Sequence, residues 1–170
     1  MSGGITGARN GTLAFMVGAE EDSDYERSVP LLKTMGANVF HCGGPGSGSI
    51  AKVTNNLVLG IHMVAVSEAL QIGVKLGGDA KKLSAIFSVS SGRCWSVDTY
   101  NPVPGVIEGT PASKNYDEGF MVKLIKKDLQ LAIDAAEGAG AVCDESKIAW
   151  GYYDRLDKLG YGEKDLGFVY

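Results

Sequence analysis

A mainly α-helical fold, organised around one long helix and preceded by a short α/β segment, is what this 170-residue chain predicts. Three observations carry that prediction. A proline-free run rich in Leu, Ile, Val, Met and Ala extends from about Ser49 to about Leu76, between the glycine loop Gly43-Gly44-Pro45-Gly46-Ser47-Gly48 and the pair Gly77-Gly78. Residues 1 to 42 read as strand, helix and strand, which is an α/β pattern. After Gly78, every regular stretch has the spacing of a helix.

In chain order, Thr12 to Val17 is a short apolar run between Gly11 and Gly18 and predicts a strand. Asp22 or Ser23 starts a helix that reaches about Met35, with Pro30 interrupting it. Ala37 to Cys42 predicts a second strand; two strands alone do not make a stable sheet. In the long helix, Ser47 or Ser49 is placed to cap the first turn and Gly77 to close the last in a left-handed conformation. Its length would be roughly 40 Å at about 1.5 Å per residue. Ile50, Val53, Leu57, Val58, Ile61, Met63, Val64, Val66, Leu70, Ile72 and Val74 leave little polar circumference, so burial on most sides is expected. Asp79 caps a helix over about Ala80 to Val89 whose inner side holds Leu83, Ile86 and Phe87. A long connection through Pro102 and Pro104 follows, and connections this long in compact domains tend to be functional or to cover another element. Helices are then expected over Phe120 to about Glu137, Asp144 to about Leu159 and, briefly, near Glu163 to Val169.

Composition excludes several classes. A net charge of -4 gives no broad attraction for nucleic acid or an acidic membrane. Lys52, Asn55, Asn56, His62, Glu68 and Lys75 interrupt the long helix and argue against a membrane span. Cys42, Cys94 and Cys143 are odd in number and widely spaced, which suits a reducing compartment. No Cys-x-x-Cys pair or histidine cluster suggests a metal. Met1-Ser2-Gly3-Gly4 has neither the basic start nor the apolar core of a secretory signal.

Lys52 and Asn56 stand out because they are polar, four residues apart and therefore on one face of the helix. A solvated lysine is the ordinary reading. However, a lysine near a helix N-terminus opposes the dipole, which favours anions there, so the position suits a site where its charge is used or its pKa is lowered. Lys126-Lys127-Asp128 would by itself be a solvated charged face, and Lys127 and Asp128, being adjacent, are expected to point apart.

Three ordered signals nevertheless combine: Ser2-Gly3-Gly4, Gly46-x-Gly48-x-x-x-Lys52-x-x-Asn55-Asn56, and Phe120 followed within two turns by Lys127-Asp128. Together they resemble the β-hydroxyacid dehydrogenase family over essentially the whole chain. The run Ser90-Ser91-Gly92-Arg93-Cys94-Trp95-Ser96, continuing through Asp98 to Val106, looks particularly like the branch that serves mitochondrial valine breakdown.

The resemblance implies an oxidoreductase that uses NAD to oxidise a small hydroxy-acid substrate, with Lys52 as the catalytic base. It implies that Ser2, Gly3, Gly4 and Asn56 bind substrate, that Phe120 and Lys127 contact the cofactor, and that no metal takes part. It further implies a homo-oligomer, dimer or tetramer, in the mitochondrial matrix, with neither nucleic acid nor membrane as partner. Residues 1–43 would be the C-terminal remnant of a Rossmann-type NAD-binding domain, and residues 44–170 an all-helical C-terminal domain. The Gly-x-Gly-x-x-Gly turn of that nucleotide fold is not in this chain, and Gly44-x-Gly46-x-Gly48 is differently spaced and placed. The isolated piece would then be inactive. Arg93 and Trp95 either line the substrate cleft or pack a subunit interface. Two alternatives remain: a relative acting on another β-hydroxy acid or semialdehyde, and a non-catalytic dimerisation module whose apolar helices simply associate.

Overall fold

The computed structural model describes all residues from Met1 to Tyr170, in two compact units, Met1–Asn55 and Asn56–Tyr170. The division falls inside the long helix, and the chain is mainly α-helical with one two-stranded sheet.

In the first unit, α1 (Gly4–Arg9) leads into β1 (Ala14–Val17), α2 (Asp22–Leu32) and β2 (Asn38–His41). The strands run parallel, with Ala14 opposite Asn38 and Val17 opposite His41. A parallel pair needs a crossover, and α2 supplies it. The Tyr25 hydroxyl donates to the Val39 carbonyl at 3.0 Å, and its ring stacks on His41. Pro30 lies in the last turn of α2, where it can make no bond to the Glu26 carbonyl, and the helix ends two residues later. Beyond β2 the chain turns through Gly46, whose φ of 90° is left-handed, and the Ser47 hydroxyl ties back to the Gly44 carbonyl at 2.7 Å. The first turn of α3 (Ser47–Lys75) then passes so close to β1 that a Cβ on Gly48 would overlap the Met16 carbonyl oxygen.

The second unit contains the rest of α3, then α4 (Ala80–Val89), α5 (Trp95–Asp98), a 3-10 turn (Pro111–Lys114), α6 (Val122–Ala139), α7 (Asp144–Leu156) and a closing 3-10 turn (Leu166–Val169). Two apolar clusters hold it. Met63 packs with Val122, Ile125, Leu129, Ala149, Tyr153 and Leu166, joining α3, α6 and α7. Val66 and Leu70 pack with Val97 and Val103 over α4 and α5. Gly60 permits the α3–α6 approach, since a Cβ there would sit 3.0 Å from Leu129 Cδ2.

The end of α3 and the start of α4 follow the expected chemistry, whereas the start of α3 corrects it: Ser47 and Ser49 lie inside the helix, and the Ser47 hydroxyl donates to the Gly44 carbonyl rather than accepting from a first-turn amide. Gly77 has φ 92°, and the Gly78 amide returns to the Gly73 carbonyl at 2.9 Å. Asp79 Oδ1 accepts from the Lys82 amide at 2.9 Å and caps α4 at its expected start. Two packing expectations are corrected. On α4 the inner face is Ala80, Leu83, Ser84 and Phe87, whereas Ile86 is exposed. And α3 is not buried on most sides: its buried positions are Asn56, Gly60, Met63, Val66, Ser67 and Leu70. Within one copy, the other helices of this unit cover only that stripe. Val58, His62, Ala65, Ala69, Ile72 and Leu76, spaced at four or three residues, form an open one. By length and composition α3 would suffice to cross a membrane, yet its buried stripe is spent on protein packing and on a polar contact of Asn56.

Candidate active site

In the first unit, Ser2 lies antiparallel beside Ala14: its amide donates to the Ala14 carbonyl at 2.8 Å, and the Ala14 amide returns at 2.9 Å. Gly3 (φ 127°) and Gly4 (φ 57°) then make a left-handed turn into α1, a backbone that glycine adopts without the Cβ penalty. Ser2-Gly3-Gly4 is thus a defined turn rather than a loose end. The Ser2 amide is committed to the pairing with Ala14.

Lys52 occupies the second turn of α3 and is half-buried. Lys52 lies close enough to the Met1 nitrogen to act on it electrostatically. Lys52 therefore lies within electrostatic range of the segment that carries Ser2-Gly3-Gly4, inside one compact unit.

One turn further along α3, Asn56 is only 2% exposed, whereas Asn55 is exposed. Asn56 Nδ2 donates to Asp128 Oδ2 at 2.5 Å, and Lys127 Nζ pairs with Asp128 Oδ1 at 2.7 Å. This corrects the expectation that Lys127 and Asp128 point apart. Their stems diverge from the helix, but the lysine side chain is long enough to curl back onto its neighbour. Asp128 therefore links Asn56 to Lys127, a role that the bare charge triplet did not reveal. Lys126 instead bridges to α7, 3.1 Å from Asp154 and 2.8 Å from Asp157.

Phe120 stands two residues ahead of α6. Its ring is half-buried against the Met63 cluster, its amide donates to Asp165 Oδ2 at 2.8 Å, and its carbonyl accepts from the Leu166 amide at 2.8 Å. Trp95 stacks on Tyr100 with ring centroids 4.8 Å apart, and Arg93 Nε donates to Asp98 Oδ2 at 2.7 Å. The Lys127 side chain is 60% exposed, and Phe120 is half-buried. Sequence reasoning missed Asp165 and Tyr100, because neither falls in a recognisable spacing.

The chain thus has a small α/β unit followed by a mainly helical one. Residues 46–169 match the family model described as NAD-binding of NADP-dependent 3-hydroxyisobutyrate dehydrogenase, and residues 1–44 match the NAD binding domain of 6-phosphogluconate dehydrogenase. The chain belongs to the 3-hydroxyisobutyrate dehydrogenase family. It is 51% identical over 170 residues to a probable mitochondrial 3-hydroxyisobutyrate dehydrogenase of Dictyostelium discoideum, covering 100% of this chain and 53% of that one. To the mitochondrial 3-hydroxyisobutyrate dehydrogenase of Homo sapiens it is 45% identical, covering 100% of this chain and 50% of the other. A solved structure of Mycobacterium tuberculosis 3-hydroxyisobutyrate dehydrogenase with L-serine matches at TM-score 0.92 and 38% identity, over 99% of this chain and 57% of that one. The chain thus spans about half the length of the curated relatives it matches.

Proposed function

We propose that the whole protein is an NAD-dependent 3-hydroxyisobutyrate dehydrogenase that forms methylmalonate semialdehyde in valine catabolism. The carrying observation is a half-buried lysine on α3 one turn ahead of a buried asparagine that Asp128 holds in place. In this reading residues 1–43 close a Rossmann-type nucleotide-binding domain and residues 44–170 form the helical domain.

When bound, NAD supplies the hydride acceptor. The neutral Lys52 amine takes the proton of the substrate hydroxyl as that oxygen becomes a carbonyl, and in reduction the ammonium returns it. Asn56 orients the same oxygen, while the Ser2 hydroxyl and the Gly3 and Gly4 backbone, unobstructed by side chains, hold the substrate carboxylate. Phe120 packs against the nicotinamide end of the cofactor, and the Lys127 ammonium neutralises charge nearby. Because Asp128 is shared by Asn56 and Lys127, a cofactor contact drawing on Lys127 would also tighten the residue that orients substrate. The names of the eukaryotic relatives support a mitochondrial compartment, within which the matrix is our reading.

A neighbouring reading is a relative that prefers another β-hydroxy acid, favoured by the L-serine that accompanies the M. tuberculosis enzyme in its solved structure. Turnover of 3-hydroxyisobutyrate, L-serine and tartronate semialdehyde with NAD and NADP separates the two. The proposal expects kcat/KM for 3-hydroxyisobutyrate to exceed that for L-serine by at least about tenfold, the scale on which one pocket contact discriminates. The reverse order would replace it with the second reading.

A further inference from the structure

Asp165 is 1% exposed, yet it pairs with no cation. Its Oδ2 accepts from the Tyr100 hydroxyl at 2.7 Å and from the Phe120 amide at 2.8 Å, and its Oδ1 accepts from the Gly167 amide at 2.8 Å. Burial pushes its carboxyl above the ordinary carboxylate range, and these donors pull the other way. A buried carboxylate is costly to keep, and its donors come from three separate places: the second residue after α5, the second residue before α6 and the closing 3-10 turn.

The chain around it is strained. Asn115 (φ 57°), Tyr116 (φ 57°) and Glu118 (φ 66°) are non-glycine residues in the left-handed region, and Gly119 follows at φ 80°. Such conformations persist only where surrounding contacts over-determine them, and they concentrate at functional positions. Here the closing segment supplies the contacts. The Asp165 amide donates to the Tyr116 carbonyl at 2.8 Å, Lys164 Nζ donates to the Asn115 carbonyl at 3.0 Å, and the Tyr116 ring meets Phe168 edge-on. At Gly119 a Cβ would overlap Asp165 Oδ2 and lie 2.6 Å from the Tyr100 hydroxyl, so only glycine lets the carboxylate reach this segment.

Asp165 grips Phe120 and Tyr100, each packed against the Met63 cluster and still partly open to solvent. Phe120 follows Gly119 directly, and Tyr100 is the ring on which the 49%-exposed Trp95 lies. We infer that Asp165 is a positioning residue that, by bonding the Phe120 amide and the Tyr100 hydroxyl together, fixes the Phe120 and Trp95 rings as one preorganised surface for cofactor and substrate. This rests on the reading of Phe120 as a cofactor contact.

The test is a double-mutant cycle in the whole protein, with Kd for NAD, kcat and KM measured for Phe120→Ala, Asp165→Asn and the combination, and with folding checked by circular dichroism. Asp165→Asn turns an NH2 toward amide donors and should raise Kd for NAD by about tenfold. If it acts through Phe120, the double variant should bind NAD within about twofold of Phe120→Ala alone, because coupled sites are not additive. A generally structural role would give additive losses, which would overturn the inference. So would unchanged binding in a folded Asp165→Asn variant when Phe120→Ala weakens NAD. If Phe120→Ala itself leaves NAD binding unchanged, the cofactor reading of Phe120 fails and the inference falls with it. Should Asp165→Asn not fold, Tyr100→Phe, which removes a single oxygen, carries the same cycle with an expected threefold or so change; no change there would overturn the inference.

Discussion

At the scale of single residues, Asn56 and Gly48 show different kinds of commitment. The buried Asn56 amide donates to the Asp128 carboxylate, so replacing Asn56 removes a buried donor from that carboxylate, which keeps its pair with Lys127. Asn56→Ala should cost about 1–3 kcal/mol in urea unfolding, with m unchanged. Gly48 is a close-approach position: Gly48→Ala would drive a methyl into the Met16 carbonyl, and a loss of about 1–3 kcal/mol is expected where alanine would otherwise favour a helix. Lys52 and Asn56 were legible because a polar pair at four-residue spacing is conspicuous in an apolar helix. Asp128 was visible only as a charge, since its bond to Asn56 spans 72 residues of sequence and depends on how α6 docks against α3. Asp165 and the left-handed run at 115–119 were not legible, because strain held by distant contacts leaves no local pattern.

Among the elements, α6 and α7 form the best-defined pair. Their facing sides share Ile125, Leu129, Ala149 and Tyr153, and Lys126 reaches both Asp154 and Asp157 while Lys158 pairs with Asp154. Lys158 and Lys126 hold the Asp154 carboxyl below its ordinary range, and Asp157 and then Asp154 raise Lys126 above its own. The signs set a window. A depressed carboxylate contributes stability that is present above the unfolded pKa of about 3.9 and is lost as pH falls through the folded value. A raised lysine contributes stability below about 10.4 that is lost as pH rises through its folded value. The thermal midpoint should therefore hold across neutral pH and fall in acid, and Asp154→Asn should lessen the acid-side fall; a parallel pH profile in that variant would contradict the ion-pair account. Leu129, fully buried between Gly60 and the α7 side, should cost about 2–5 kcal/mol on replacement by alanine. Helix positions and caps such as Asp79 were readable because capping is local. The outward turn of Ile86 was not, since period alone does not say where a neighbouring helix ends.

For the molecule as a whole, the open α3 stripe through Val58, Ala65, Ala69, Ile72 and Leu76 is the surface on which a second copy is expected, with small residues in its middle that allow close approach. Light scattering should give a dimer or larger, and Ala65→Glu with Ala69→Glu should shift it to the monomer mass. A monomeric parent protein would remove that proposal without touching the chemistry. The central claim is tested most directly at Lys52. In the whole protein, Lys52→Ala should lower kcat for 3-hydroxyisobutyrate by at least about a hundredfold, the scale of a lost general base, while Kd for NAD changes less than about threefold. Turnover within tenfold of the unaltered protein would contradict the assignment of Lys52 and, with it, this account of the site.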